Sequence, residues 1–82
     1  MDDAQLRAVI QSQILSGLLR RSSKEDRLFG GTGEGGLCVC CGETIGPAVV
    51  QFEVLGSGTA LLMHIHCHDV WCRASEPQRP YA

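Results

Sequence analysis

The sequence predicts a small α+β domain whose fold a bound metal ion stabilises. Three observations carry this prediction: the chain has only 82 residues, five of them are cysteines, and a helical pattern is followed by the pattern of a β-hairpin and a second helix. A chain of this size buries too little apolar surface to offset its conformational entropy, so a cross-link or a metal is needed. An odd number of closely spaced cysteines favours a metal over disulfides.

The first predicted element is an amphipathic helix near the N-terminus. Asp2 is a suitable N-cap residue, and Gln5 lies three residues later, where the second member of a capping box belongs. Gly17 favours an end of the helix at Ser16, because glycine readily adopts the left-handed conformation that closes a helix. The apolar positions recur at helical spacing. They are Leu6, Val9, Ile10, Ile14, Leu15 and Leu18.

The next stretch, residues 20–36, has no regular period and is predicted to be a connector. Five of the seven residues in 30–36 are glycines, but the run lacks the GxxxxGK[ST] pattern of a phosphate-binding loop and is interpreted as a linker. The adjacent Leu28 and Phe29 are expected to anchor the connector on the core. The first part of the connector is basic. Its cations are Arg20, Arg21, Lys24 and Arg27.

A β-hairpin and a second helix are predicted after the connector. Residues 50–54 alternate between apolar and polar side chains, as in a half-buried strand, and 48–65 form the whole hairpin. The glycine-containing sequence 56–58 supplies the turn. Residues 66–74 are compatible with a short helix that Pro77 prevents from continuing.

Two short motifs flank the predicted hairpin and carry the candidate metal ligands. Cys38-x2-Cys41 is followed by Gly42, and His64-x2-Cys67 lies where the second strand passes into the helix. Tetrahedral Zn²⁺ takes four sulfur or nitrogen donors, and two short-spaced pairs supply them with little strain. These four residues are therefore predicted to bind one structural zinc ion.

Other histidines and cysteines near the two motifs leave alternative ligand sets open. These residues are Cys40, His66, His68 and Cys72. Vicinal Cys40 and Cys41 do not readily bind one ion together, and His64-x2-Cys67 has the spacing of a treble-clef finger. With the predicted set, Cys40 and Cys72 are spare thiols, interpreted as small buried side chains rather than redox groups.

The tight turn that carries the first cysteine pair, called the knuckle, is followed by the hairpin and then the helix. This order resembles that of a treble-clef zinc finger. More specifically, the chain resembles a small, largely uncharacterised bacterial family in which a helix and a Gly/Pro-rich connector precede the finger. The resemblance covers most of residues 1–74, although Leu19 stands where that family is expected to have proline. It implies the fold and the zinc ligands and little about function. The matching positions are Cys38, Cys41, Gly42, Ile45, His64, Cys67 and Trp71.

These elements divide the chain into four predicted segments. Residues 1–29 hold the amphipathic helix and the basic connector, and 30–36 are the glycine-rich linker. Residues 37–76 form the zinc-binding domain, and 77–82 are a flexible tail.

Composition excludes several functional classes. The formal net charge of −2 excludes a protein that holds nucleic acid by bulk charge alone. No apolar run approaches the ~20 residues of a membrane span, and the acidic, polar N-terminus is unlike a secretory signal, so a cytoplasmic protein is expected. No enzymatic activity is expected, since four ligands leave a zinc ion no open position for a substrate.

A protein-interaction module is the preferred functional hypothesis. The apolar stripe of the N-terminal helix needs a cover, supplied by the finger, by another protein or by a second copy in a weak homodimer. The alternative is a nucleic-acid-binding finger that uses the basic connector. Charge argues against it, because residues 1–29 carry a net charge of +1 whereas 30–82 carry −3. A redox or metal-sensing thiol protein is the third hypothesis.

Overall fold

The computed structural model describes residues 2–76. Its three strands form one antiparallel sheet in the order β1-β2-β3, with two helices beside it, so the predicted α+β class is confirmed. The predicted tail, residues 77–82, lies outside the described residues. In chain order the elements are α1 (Asp3–Ser16), β1 (Arg27–Thr32), β2 (Val50–Gly56), β3 (Thr59–His64) and α2 (Ile65–Ser75).

Helix α1 begins and ends where the sequence predicts. The Asp2 side chain accepts a hydrogen bond from the Gln5 N–H at 2.8 Å, and the Gln5 side chain accepts one from the Asp2 N–H at 3.2 Å, which completes a capping box. Gly17, with φ of 83°, closes the helix in the left-handed conformation.

The predicted apolar stripe of α1 is only partly buried. Leu6 and Ile10 are in the core, but Leu15 and Leu18 are each 83% exposed. Leu15 lies about 180° around the helix from Leu6, and Leu18 lies beyond the end of the helix at Ser16, so neither reaches the buried face. Two large leucines therefore remain on the surface.

Strand β1 lies within the stretch that the sequence predicts to be a connector. It pairs with β2 along its whole length, and Gly30 and Gly31 of the predicted linker belong to it. The expectation that Leu28 and Phe29 anchor the connector on the core is wrong, because these side chains are 46% and 50% exposed. A strand with every residue exposed and two central glycines has no apolar alternation that could reveal it.

The predicted hairpin is confirmed as β2 and β3. A two-residue turn joins them, with Ser57 and Gly58 at φ of 52° and 76°, the positive values that a type I′ turn requires. On the face of the hairpin directed at α2, Val54 and Met63 are buried. The hairpin thus supplies one wall of the core.

Helix α2 lies at the centre of the molecule. It contacts α1 on one side and both hairpin strands on the other, and Trp71 and Val70 are buried between these layers. The predicted helix is confirmed and extends one residue further at each end. The buried apolar residues are Leu6, Ile10, Leu19, Cys38, Cys40, Ile45, Val54, Met63, Cys67, Val70 and Trp71.

Arg20 links the segment after α1 to α2. Its carbonyl oxygen accepts a hydrogen bond from the Trp71 indole N–H at 2.8 Å, and its guanidinium carbon lies 5.5 Å from the centre of the indole ring system. The same guanidinium forms an ion pair with Asp26 at 3.0 Å, and Asp26 also accepts a hydrogen bond from the Ser23 N–H at 2.9 Å. This arrangement fixes the start of β1.

Asp26→Asn is expected to lower the free energy of unfolding by about 1–2 kcal/mol, because Arg20 loses its charged partner in a mostly buried position. Burial opposes ionisation of this carboxyl, yet hydrogen bonds from Arg20 and Ser23 hold the pKa of Asp26 below its ordinary value. A carboxyl with a lowered pKa stabilises the fold above its unfolded pKa of about 3.9 and loses this contribution only as the pH falls through the folded value.

The difference between wild type and Asp26→Asn should therefore be constant from about pH 6 to about pH 8. Chemical denaturation of the metal-loaded proteins measures it. Glu25→Gln is the matched control, since Glu25 is exposed and its loss removes the same charge. Equal stability of the two variants would contradict the stabilising role of the ion pair.

Candidate metal centre

The four predicted ligands meet at one place in the structure. One donor atom from each of Cys38, Cys41, His64 and Cys67 lies within 4.8 Å of the other three. The His64 Nδ1 is 3.5 Å from the Cys41 Sγ and 3.9 Å from the Cys67 Sγ. In tetrahedral zinc sites the bond lengths require sulfur and nitrogen donors about 3.5 Å apart, so the spacing fits an ion at the centre.

A tight turn presents the first pair of ligands. The Gly42 N–H donates to the Cys38 carbonyl oxygen at 2.9 Å, and the Cys38 N–H donates to the Glu43 carbonyl oxygen at 2.9 Å. Gly42 has φ of 77°, a left-handed conformation that most other residues adopt only with strain. The turn therefore directs both thiols to the same side of the chain.

The junction between β3 and α2 presents the second pair. His64 is the last residue of β3 and the N-cap of α2, and Cys67 lies in the first turn of that helix. This placement confirms the position predicted for the pair. The positive end of the helix dipole favours a thiolate there.

Hydrogen bonds connect the knuckle, residues 38–42, to the rest of the domain. The Val39 N–H donates to the Leu62 carbonyl oxygen of β3 at 2.9 Å. From α1, the Gln13 side-chain amide donates to the Cys40 carbonyl oxygen at 3.5 Å. Hydrogen bonds thus join the knuckle to β3 and to α1, and the knuckle also faces α2.

The loop after β1 packs against Ile45 and Gly46, which follow the knuckle in the chain. The Ile45 N–H donates to the Gly36 carbonyl oxygen at 2.8 Å, and the Gly35 N–H donates to the Ile45 carbonyl oxygen at 3.0 Å. Gly33 is buried against this segment, and a Cβ built on it would overlap the carbonyl oxygens of Ile45 and Gly46. The close approach of the two backbones therefore requires glycine at position 33.

Gly33→Ala is expected to destabilise the domain by about 1–3 kcal/mol, because the added methyl group pushes the loop away from the backbone of Ile45 and Gly46. Gly46→Ala is the matched control, since a Cβ there meets open space and its φ is not positive. Denaturation at a fixed free zinc concentration measures both. Equal effects of the two substitutions would contradict the proposed close contact.

The thiols of the cluster do not ionise equally. A hydrogen bond from Cys40 lowers the pKa of the Cys38 thiol to about 3, although burial acts in the opposite direction. Burial, together with the neighbouring Cys38, raises the pKa of Cys41 and of Cys67. The protein alone thus favours one thiolate and opposes the other two. A divalent cation at the centre offsets that opposition by its charge.

The alternative ligands lie outside the group of four. Cys40 is 1% exposed and its Sγ contacts the Cys67 carbonyl oxygen at 3.9 Å. The His66 Nε2 lies 2.7 Å from an Asp3 carboxylate oxygen on the surface. The His68 ring meets the Phe52 ring edge to face, with centroids 5.2 Å apart.

Sequence reasoning assigned Cys40 only as a buried side chain and missed that its thiol donates to the Cys67 carbonyl oxygen at 3.9 Å, which links the two motifs. Its single visible signal is its place inside the first motif, between the two predicted ligands. The remaining spare thiol, Cys72, lies on α2 with its Sγ 3.5 Å from the His68 Nε2. Neither thiol belongs to the four-donor group within residues 2–76.

The basic connector does not present its cations together to a ligand. Arg20 is paired with Asp26, and Arg21 donates to the Ser75 carbonyl oxygen at 3.3 Å. Two of the four connector cations are therefore bonded within the protein. In the described part of the chain, Lys24 and Arg27 are the connector cations left to contact a phosphate backbone. No observation in the described residues favours the nucleic-acid hypothesis over the others.

Comparisons with protein-family models, with curated proteins and with solved structures gave no match to this chain. The likeness to a bacterial zinc-finger family therefore rests on the motif residues alone. Within residues 2–76, neither helix has the length and apolar character needed to cross a bilayer.

Proposed function

We propose that this protein is a small zinc-binding protein in which Cys38, Cys41, His64 and Cys67 hold one structural Zn²⁺ in a treble-clef arrangement. The observation that carries the proposal is the convergence of four donor atoms within 4.8 Å, supplied as two pairs by a tight turn and by the start of a helix. Three thiolates and one imidazole suit zinc, which prefers sulfur and nitrogen donors.

The surroundings support a structural rather than a catalytic ion. Cys38 and Cys67 are 1% and 5% exposed and Cys41 and His64 are half-buried, so the site reaches the surface on the side of only two of its four residues. Four protein ligands complete a tetrahedral shell, whereas catalytic zinc keeps a position for water. The ion would join the knuckle, β3 and α2, and so cross-link elements that share a small core.

Metal analysis with ligand variants tests the zinc site. Protein purified without added zinc is expected to contain one zinc per chain, and its cobalt-substituted form to absorb as a tetrahedral thiolate complex. Cys67→Ser should lose the metal, and Cys72→Ser, a half-buried cysteine of the same helix, should keep it. Loss of zinc in Cys72→Ser with retention in Cys67→Ser would refute the ligand set.

We also propose that the zinc-held domain serves as a protein-interaction module. Support comes from large apolar side chains on its surface, at the end of α1 and on β1. Leu15 and Leu18 are each 83% exposed, and Leu28 and Phe29 are about half exposed. Sedimentation of the zinc-loaded protein tests whether the partner is a second copy of this chain. A species larger than 8.8 kDa supports the interaction role.

A further inference from the structure

Strand β1 forms an open edge of the sheet in the described part of the chain. It pairs with β2 on one side, and no other strand or helix contacts it within residues 2–76. All six of its residues are exposed. An edge of this kind presents unpaired backbone N–H and C=O groups to any strand that can lie beside it.

The register of β1 and β2 identifies the outward-facing backbone groups. Beyond the end of β1, the Gly33 N–H donates to the Val49 carbonyl oxygen at 3.0 Å, which continues the antiparallel ladder by one pair. Alternate residues of an antiparallel strand bond to the same neighbour. Residues 27, 29 and 31 therefore bond to β2, whereas Leu28, Gly30 and Thr32 direct their N–H and C=O groups outward.

The edge lacks the features by which proteins usually protect such strands. Those features are bulges, prolines and inward-pointing charges. Here the six pairs between β1 and β2 run without a bulge, and Arg27 at one end is the only charged residue of the strand. The outward positions are an apolar residue, a glycine and a threonine, all of which allow close approach of another backbone.

We propose that β1 pairs with β1 of a second copy of this chain, antiparallel about a two-fold axis at Gly30, to give one six-stranded sheet. This inference deepens the interaction role proposed above and rests on it. The strand complements itself, because Leu28 then lies opposite Thr32 and Gly30 opposite Gly30. All three outward residues of each copy are used, which makes six hydrogen bonds. A pairing centred on Phe29 would make only four hydrogen bonds between the two strands.

Side chains favour the same pairing. Phe29 of one copy lies opposite the partner's Gly31, where a Cβ would meet nothing within 4 Å in its own chain. Each phenyl ring, 50% exposed in the single chain, then covers a glycine of the other strand, and aromatic rings stabilise strand glycines in this way. Arg27 lies opposite the partner's Gly33, so no like charges face each other within the strands.

Gly30→Pro tests the proposal in the zinc-loaded full chain. Proline at this position removes an outward N–H and leaves the hydrogen bonds to β2 in place. Sedimentation equilibrium of the wild type is expected to detect a dimer of twice 8.8 kDa, and Gly30→Pro to raise its dissociation constant at least about tenfold. The comparison variant is Leu15→Ser with Leu18→Ser, which alters the other exposed apolar surface and so distinguishes an interface on β1 from one on α1.

Hydrogen exchange of the wild type provides a second measurement that needs no variant. With rising protein concentration, the amides of Leu28, Gly30 and Thr32 should become protected, while those of Phe29 and Gly31 are protected at every concentration. A zinc-loaded chain that stays monomeric at millimolar concentration overturns the pairing and leaves the zinc site standing. A dimer that the α1 double variant abolishes and Gly30→Pro does not also overturns it.

Discussion

Removal of the metal at neutral pH is expected to unfold residues 37–76, with loss of β2, β3 and α2 together. Zinc binding contributes on the order of 10–16 kcal/mol in zinc-finger peptides, which is as large as the whole stability of a small domain. In this protein an ion held by the four proposed ligands would also attach the knuckle to the strand and helix that carry the core. Without the ion, burial keeps Cys41 and Cys67 protonated, so these thiols no longer hold the two halves of the site together.

An NMR spectrum of backbone amides recorded before and after chelation measures this effect. We expect the dispersed resonances of the hairpin to collapse when zinc is removed and to return when one equivalent of zinc is added. Cys38→Ser should resemble the chelated protein, and Cys72→Ser should resemble the wild type. Amide dispersion that survives verified removal of the metal would disprove the dependence of the fold on zinc.

The parts of the fold that local sequence determines were predictable. The N-cap of α1 and its end depend on Asp2, Gln5 and Gly17, which act within one turn of the helix. The hairpin follows from a short glycine-containing turn between two apolar runs. The proximity of the four predicted ligands was also predictable. Local spacing brings the two residues of each pair together, and the hairpin between the pairs brings the second pair back beside the first.

Elements that depend on distant partners were not predictable. Strand β1 exists because its backbone pairs with β2, some twenty residues later, and its two central glycines have no pattern of their own. Leu28 and Phe29 look like core residues in the sequence, but the open edge leaves them exposed. The bond from Gln13 to the knuckle joins residues 27 positions apart, so no local rule indicates it.

Trp71→Ala is expected to destabilise the zinc-loaded protein by about 3–5 kcal/mol, because it removes a fully buried ring at the point where both helices and the hairpin meet. The indole N–H also bonds to the Arg20 carbonyl oxygen at 2.8 Å. Trp71→Phe keeps an aromatic ring but leaves that carbonyl without its partner, and should lie between Trp71→Ala and wild type. Leu18→Ala, at an exposed position, is the control and should change stability by less than about 0.5 kcal/mol.

Trp71→Ala should also weaken zinc binding, since Trp71 lies one helical turn after Cys67. If the metal-free chain is unfolded, the free energy lost from folding is lost from metal affinity as well. A loss of 3–5 kcal/mol then corresponds to an apparent dissociation constant for zinc raised by a factor of about 100 to several thousand. Competition with a chelator of known affinity measures it. A Trp71→Ala protein with reduced stability and unchanged zinc affinity would show that the metal site forms independently of the core.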